Sequence, residues 1–297
     1  MTGNRVVIAG AGLIGASLAE ALRARGDEVT TVSRRPAGTG PQLNADLGTA
    51  AGRARLRALV ERWRPRCTVL VHGPSDVTWI EAHEAEAAAC HVGTATALAG
   101  HRLLLVSTDN VFDGTQAMPA ATDPSCPQNA YGRVKLAAER AGLAAHPDAA
   151  VARVSLVYGW SPAGLRATYA QRCLESAARG AALAAPSDQS FTPVHLIDVV
   201  TALTRLSHEP APSRLLQLAG PAALSRYEFA ALAYRLAGAD PALVRPVPRA
   251  ETEWACRPRH SGLRTSSAAE LGFDWQPADP AAGLSRMLAT VVSESRS

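Results

Sequence analysis

A short stretch at the start of the chain combines a strand, a glycine-rich turn, a helix and a second strand. The apolar residues 6–9 lead into Gly10-Ala11-Gly12-Leu13-Ile14-Gly15, a helical pattern follows over 16–25, and a second strand is predicted over 28–33. In such a turn Gly10 permits the tight bend, Gly12 lets the backbone approach a pyrophosphate and Gly15 allows close helix packing. The helix N-terminus adds unpaired N–H groups and a partial positive charge. The stretch predicts dinucleotide binding, with a purely structural turn as the alternative.

The alternation of strands and helices continues to residue 158. Further strands are predicted over 68–72, 103–107 and 150–158, and the helices between them over 49–64, 81–98 and 131–146. Apolar strands without alternation are buried on both faces, which is typical of a parallel sheet covered by helices. We expect an α/β fold with a doubly wound, Rossmann-like parallel sheet over 1–158, to which 193–218 returns. A smaller, mostly C-terminal substrate-binding region is expected over 159–297, with helices near 168–179, 225–238 and 280–292.

Composition narrows the class of protein. The chain has 297 residues, 47% of them hydrophobic and 19% charged, which is typical of a globular protein and not of a disordered one. No apolar run of membrane-spanning length and no export signal stand out, so a cytoplasmic location is expected. The net charge is +4, but the basic residues are scattered, so we expect a small anionic ligand and neither nucleic acid nor a membrane as partner. A homodimer is left open.

The five cysteines lie far apart along the chain. No CxxC pair occurs, and no histidines stand at metal-ligand spacing. We therefore expect reduced thiols and no metal site.

The end of the second strand carries Ser33-Arg34-Arg35. Proteins of this fold that prefer NAD place a carboxylate there to bind the ribose hydroxyls. Arginine can instead hold a 2′-phosphate by paired hydrogen bonds, so NADP is expected over NAD. The alternative is a solvated basic turn, and we expect one of the two arginines to be no more than that.

Tyr131 and Lys135 stand four residues apart in a predicted helix. All but one of the 30 cationic side chains are arginine, and the exception is Lys135, which indicates a position where guanidinium would not serve. At this spacing the two side chains share a helix face. An ammonium beside a phenol lowers the pKa of the phenol, which would make Tyr131 a usable general acid or base. The alternative is a surface pair on a helix.

A third motif follows the strand over 103–107. Ser107, Thr108 and Asp109 come at its carboxyl end, where open α/β sheets bind ligands. Taken alone, Ser107 and Thr108 would more often be turn or capping residues. Together with the other two motifs they favour a reactive site.

In these residues the chain resembles the extended short-chain dehydrogenase/reductases, and within them the dTDP-4-dehydrorhamnose reductase branch. The resemblance is carried by the glycine loop and by the segments 107–114, 129–139, 153–159, 192–198 and 257–258. Thr108, Tyr131 and Lys135 match the catalytic triad of that family. The resemblance implies that NADPH reduces the C4 ketone of a nucleotide-linked sugar, dTDP-linked in this branch. Tyr131 would protonate the alkoxide, Lys135 would lower the Tyr131 pKa and bind the nicotinamide ribose, and Thr108 would hold the carbonyl oxygen.

The resemblance also implies binding residues. Beside Tyr131 and Lys135, it places the cofactor against Asp46 and Leu47 at the adenine and against Gly73, Pro74 and Ser75 at the end of the fourth strand. It places the substrate against Asn110, Val111 and Leu156, and against Arg257 in a segment that contacts the diphosphate. Trp160 would either stack on a sugar or base or pack in the cleft wall.

Four departures from the family pattern limit what is carried over. Ala9 replaces the first glycine of the loop, and His91 replaces an asparagine of the fourth helix. Asn110 stands where the family has tyrosine, and Leu156 where it has an aromatic residue. Because both of these family positions line the sugar, a different or differently seated substrate is expected.

Two other functions remain open at this stage. An epimerase or dehydratase acting on nucleotide sugars would use the same Tyr131 and Lys135, but Arg34 and the modest length count against it. A regulatory subunit resembling the partner of methionine adenosyltransferase would bind NADP without catalysis. Retention of the only lysine of the chain counts against that alternative.

Overall fold

The computed structural model describes residues 3–35 and 40–294, and its centre is a seven-stranded parallel sheet. The strands are β1 (Arg5–Ala9), β2 (Glu28–Ser33), β3 (Gln42–Asn44), β4 (Cys67–Leu70), β5 (Leu103–Thr108), β6 (Ala150–Val154), β7 (Val157–Tyr158), β8 (Leu183–Pro186), β9 (Ser190–Phe191), β10 (Val194–His195), β11 (Leu215–Leu218), β12 (Leu224–Ser225), β13 (Val244–Val247) and β14 (His260–Ser261). The order in the large sheet is β11-β6-β5-β4-β1-β2-β3. The strand order reverses between β1 and β4, and ligands of doubly wound folds bind at such a reversal.

Helices cover both faces of the sheet. They are α1 (Leu13–Ala24), α2 (Ala50–Trp63), α3 (Val77–Ala82), α4 (Glu84–Ala97), α5 (Ala130–Ala145), α6 (Tyr169–Ala178), α7 (Leu196–His208), α8 (Arg226–Leu236), α9 (Ala268–Leu271) and α10 (Pro280–Glu294). Polar side chains cap the N-termini of several helices. The Thr49 side chain accepts a hydrogen bond from Gly52 N at the start of α2, and the Asn129 side chain accepts one from Gly132 N at the start of α5. Within 3–35 and 40–294, no helix is both long and apolar enough to cross a membrane.

Alternate residues of the strands face two apolar layers. Val6 and Ile8 of β1 pack toward α1 and α7, whereas Val7 and Ala9 pack toward α2, α4 and α5. This period of two is the geometry of a strand buried on both faces. The predicted doubly wound α/β fold is confirmed.

The C-terminal part builds a third apolar cluster beside the sheet. It contains aromatic residues of β7, α6, β9 and α8, together with Leu284 and Met287 of α10. The short strands pair outside the large sheet, β7 with β10, β8 with β13, and β9 with β12 and β14. The chain also returns to the large sheet, because β11 pairs with β6.

Two predicted elements are divided in the structure. The predicted strand 150–158 leaves the sheet after Val154, because Ser155 Oγ donates to Ser261 O at 2.6 Å and accepts from Thr192 N at 3.2 Å. The predicted helix 81–98 is two helices, α3 and α4, which meet at His83. The backbone of His83 is non-helical, and its Nδ1 lies 2.8 Å from Trp79 O.

A buried ion pair ties α5 to β6. Arg153 and Glu139 are each 2% exposed. Arg153 Nε donates to Glu139 Oε1 at 2.9 Å and Nη2 donates to Oε2 at 2.7 Å. Further bonds run from Nη2 to Ser125 Oγ at 3.0 Å and from Nη1 to Ala121 O at 3.3 Å. The pair therefore anchors the long segment between β5 and α5 to the sheet.

Candidate active site

The glycine loop lies at the reversal of strand order. Gly10 has φ +115°, and a Cβ there would lie 2.6 Å from Val71 O. A Cβ on Gly15 would lie 2.0 Å from Gly10 O, whereas one on Gly12 would meet nothing within 4 Å. The fold itself thus requires glycine at 10 and 15. At Gly12 the N-terminus of α1 instead borders free space, with Leu13 and Ile14 forming the first turn.

The expected 2′-phosphate segment follows β2. Ser33 Oγ donates to Arg35 O, and both Arg34 and Arg35 are exposed. Arg34 lies near enough to Cys90 to counter the rise in the pKa of that thiol, which burial and Asp46 raise to about 11. Ser33 pairs with Asn44 across the parallel strands β2 and β3, so Arg34 and Asp46 both follow the paired ends of these two strands.

The residues expected at the adenine differ from each other in exposure. Asp46 is exposed, and its Oδ1 accepts from Gly48 N at 2.9 Å. Leu47 is only 4% exposed and packs in the apolar layer under α2. Of these two residues, Asp46 is the one whose side chain is accessible to a ligand.

The loop after β4 contains Gly73, Pro74 and Ser75. Gly73 has φ +95°, and a Cβ there would lie 2.4 Å from the His91 ring. His91 Nε2 lies 2.9 Å from Pro74 O. Burial holds the pKa of His91 well below its usual value, so the ring is neutral and donates this bond. His91 thus ties the loop to α4.

A hydrogen-bonded network joins Thr108 to the start of α5. Thr108 Oγ1 donates to Asp109 Oδ1 at 3.0 Å, accepts from Asn110 N at 3.2 Å, and is hydrogen-bonded to the phenol of Tyr131. Asn110 Nδ2 donates to Asp109 Oδ1 at 2.6 Å, and Asn129 Nδ2 donates to Asn110 Oδ1 at 2.9 Å. Thr108 and Tyr131 are therefore brought together at the carboxyl end of β5, and Lys135 lies one helical turn farther along α5.

The electrostatics of Tyr131 differ from the sequence-based expectation. Burial and the Asp109 carboxylate raise the pKa of the phenol to about 12, and the charge of Arg257 opposes this rise. The predicted lowering of the pKa is wrong. The Lys135 ammonium instead donates to Val106 O at 2.7 Å, and burial lowers the pKa of Lys135 to about 8. The phenol is therefore protonated at neutral pH.

The five residues expected at the substrate lie in different surroundings. Asn110 is 3% exposed within the network, and Val111 is 0% exposed in an apolar cluster with Phe112 and Leu263. Leu156 and Trp160 pack against the aromatic cluster, and Trp160 Nε1 donates to Met287 O at 2.8 Å. The charge of Arg257 acts on both Asp109 and Tyr131. Of the five, Arg257 is the residue of the C-terminal part whose charge lowers the pKa of both Asp109 and Tyr131.

A family model described as RmlD substrate binding domain matches residues 4–293. The chain belongs to this family. Its relatives include the dTDP-4-dehydrorhamnose reductase of Mycobacterium tuberculosis strain CDC 1551, 34% identical over 241 residues that cover 72% of this chain and 78% of that protein. The dTDP-4-keto-6-deoxy-D-glucose reductase of Streptomyces niveus is 31% identical over 284 residues, which cover 92% of each. The resemblance stated from the motifs and the predicted NAD(P)-dependent oxidoreductase class are confirmed.

A solved structure has the same fold over nearly the whole length. The dTDP-4-dehydrorhamnose reductase from Bacillus anthracis str. Ames, in complex with NADP, matches with a TM-score of 0.81 at 22% identity. The match covers 97% of this chain and 99% of that one.

Three residues of this member of the RmlD family were not assigned a role from the sequence. Asp109 is 7% exposed, and burial raises the pKa of its carboxyl to about 6 against the hydrogen bond from Thr108. Asn129 both caps α5 and binds Asn110, and His91 holds the loop after β4. The position of Asp109 at a strand end was a usable signal. The other two roles depend on contacts between distant segments.

Proposed function

We propose that this protein uses NADPH to reduce the C4 ketone of a nucleotide-linked 4-keto-6-deoxysugar, with dTDP as the expected nucleotide. The observation that carries the proposal is the network of Thr108, Asp109 and Tyr131, with Lys135 one helical turn from Tyr131 in α5. The names of the curated relatives support the substrate class. The relative of known structure that binds NADP supports the choice of cofactor.

The cofactor would be held by residues that line the sheet edge. Gly12 and the first turn of α1 would hold the diphosphate, because a helix N-terminus with free space beside it favours an anion. Arg34 or Arg35 would hold the 2′-phosphate, and Asp46 would lie toward the adenine. When bound, NADPH supplies the hydride for the ketone carbon.

Tyr131 is proposed as the proton donor. With a pKa raised to about 12, its hydroxyl is protonated at neutral pH and can give a proton to the oxygen of the reduced ketone. Loss of this proton converts Tyr131 to a phenolate, and the charge of Arg257 stabilises that anion. Because burial lowers the pKa of Lys135 to about 8, its ammonium can return a proton more readily than an ordinary lysine.

The proposal is tested by following NADPH oxidation with a dTDP-4-keto-6-deoxyhexose. Tyr131→Phe should lower kcat by about 10²–10⁴-fold, the usual contribution of a positioned acid. NADP binding should persist, with an affinity changed by less than about tenfold, because phenylalanine loses only the hydroxyl contact to the cofactor. Tyr158→Phe is the matched control, because the Tyr158 hydroxyl is buried and has no partner among the described residues. Unchanged turnover in Tyr131→Phe would refute the assigned donor. Turnover of the sugar without net NADPH consumption would indicate an epimerase.

A further inference from the structure

Polar side chains of distant segments meet beside the loop that follows β4. Asp76 and Thr78 lie at the start of α3, directly after that loop, whereas Arg166, Glu253 and Cys256 belong to the C-terminal part. Arg166 Nη1 lies 3.6 Å from Asp76 Oδ2, and its Nη2 lies 3.6 Å from Glu253 Oε2. Thr78 Oγ1 lies 3.7 Å from Cys256 Sγ. We refer to these five side chains as the latch, because they join α3 to the C-terminal part.

The latch is hydrogen-bonded to the reactive network through Cys256. Asn129 Nδ2 donates to the backbone oxygen of Cys256 at 3.2 Å and to Asn110 Oδ1 at 2.9 Å. Asn110 Nδ2 in turn donates to Thr108 Oγ1 at 3.1 Å. Asn129 is 2% exposed, which protects its bonds from competing water. Only two amide side chains therefore separate Cys256 from the Thr108 hydroxyl along this path.

The reactive network is buried while the latch contacts are formed. Thr108, Asp109 and Asn110 are 6%, 7% and 3% exposed. A nucleotide-linked sugar is far larger than any opening that leaves so little surface accessible. Its ketone therefore reaches Thr108 and Tyr131 only when the elements that cover them move apart. Such a movement has to break the contacts between α3 and the C-terminal part.

Both sides of the latch are firmly packed, but the ion pairs between them are weak. Ile80 of α3 is fully buried and packs with Val134 of α5, and Trp254 is 8% exposed within the aromatic cluster. The two ion pairs of Arg166 are exposed and 3.6 Å long. Exposed pairs contribute little to stability and are screened by salt. The two sides should therefore separate at the latch as intact units.

We propose that the latch opens to admit and release the cofactor and the nucleotide-linked substrate, and closes before Tyr131 gives up its proton. The identity of the substrate rests on the proposed function. Closure brings the Cys256 oxygen to Asn129, which then holds Asn110 beside Thr108. Closure also excludes water, which strengthens the hydrogen bonds and charge interactions of the reacting groups. The latch thus couples closure of the cleft to the geometry of the network.

The first test joins the two sides covalently. In Thr78→Cys the new thiol lies opposite the native Cys256 thiol, and rotation of the two side chains can bring the sulfurs to the disulfide length of about 2.0 Å. The variant is saturated with NADPH, treated with oxidised glutathione and checked for the bond by mass spectrometry. The bond should slow NADPH release, followed by fluorescence, and reduction of a dTDP-4-keto-6-deoxyhexose by more than about tenfold. Dithiothreitol should restore both rates.

Thr78→Cys combined with Cys256→Ser is the matched control, because it carries the same new thiol but cannot form the bond. Its two rates should be the same before and after oxidation. Equal rates in the oxidised and reduced forms of Thr78→Cys, or an equal loss in the control, would overturn the proposal.

A second test needs no covalent bond and is decisive if the thiols do not join. Arg166→Gln removes the charge between Asp76 and Glu253 and should raise the rate of NADPH release about two- to fivefold at low salt. The difference should disappear at about 1 M NaCl. Arg57→Gln is the control, since Arg57 forms an exposed pair with Glu61 at 2.7 Å within α2. An unchanged release rate in Arg166→Gln, or an equal rise in Arg57→Gln, would contradict the role of the latch.

The latch and the proposed reaction fail separately. Slow NADPH release from oxidised Thr78→Cys, with no reduction of a keto-sugar by the wild-type protein, would refute only the reaction. Reduction of the keto-sugar at equal rates by oxidised and reduced Thr78→Cys would refute only the latch.

Discussion

Two buried arginines, one at the central sheet and one in the C-terminal part, show how differently the fold treats the same charge. Arg153 is 2% exposed and Arg226 is 4% exposed, and each lies over an aromatic ring. All three nitrogens of the Arg153 guanidinium are hydrogen-bonded, two of them to Glu139. Among the described residues, the side chain of Arg226 has a single hydrogen bond, to Gln189. The first charge is neutralised by the protein and holds the architecture, whereas the second has no carboxylate partner among the described residues.

The largest expected effect is on stability at the sheet. Arg153→Met should lower the free energy of unfolding by about 3–5 kcal/mol, because Glu139 would remain buried without its partner. Arg226→Met should cost less than about 1 kcal/mol, since it removes an unpaired buried charge along with the cation–π contacts. Urea unfolding of both variants measures the difference. Adding Glu139→Gln to Arg153→Met should recover part of the loss, and equal losses in the two single variants would break the comparison.

A smaller effect concerns Asp109, which lies between the two regions. Its carboxyl has a pKa of 3.8 in the unfolded chain and about 6 in the folded protein, so the folded state binds the proton more tightly. This contribution to stability is present in full below pH 3.8 and is lost as the pH rises through about 6. From pH 5 to pH 8, wild type should lose about 1–2 kcal/mol more unfolding free energy than Asp109→Asn. Parallel pH dependences of the two proteins would contradict this assignment.

The smallest expected effect distinguishes Gly15, which the fold requires, from Gly12, which is proposed to contact the cofactor. Gly12→Ala should change stability by less than about 0.5 kcal/mol, because its Cβ would meet nothing within 4 Å, but it should weaken NADP binding about 3- to 10-fold by occupying the space beside the helix N-terminus. Gly15→Ala is the control. Its Cβ would lie 2.0 Å from a backbone oxygen, so thermal unfolding should shift to lower temperature. Unchanged NADP affinity in Gly12→Ala would count against the proposed diphosphate position.

Much of the fold followed from patterns within single elements. The apolar strands, the intervening helices and the glycine turn are local features, and their bounds agree with the structure to within a few residues at most elements. The predicted bounds are wrong where an element contacts a segment that is distant in the sequence. Ser155 bonds to residue 261 and so ends β6 early, a contact that no pattern within 150–158 encodes.

The sequence by itself determined the parallel sheet, the dinucleotide-type turn and the placement of Tyr131 and Lys135 on one helix face, because each depends on residue types at short, regular spacing. Only the tertiary structure decided that burial and Asp109 raise the pKa of the phenol, that Asn110 and Val111 are internal, and that Arg226 has no carboxylate partner among the described residues. These properties depend on which charges and hydrogen-bonding groups meet across the fold. Electrostatic energy depends on distance in space and on exclusion of water, and neither is set by separation along the chain.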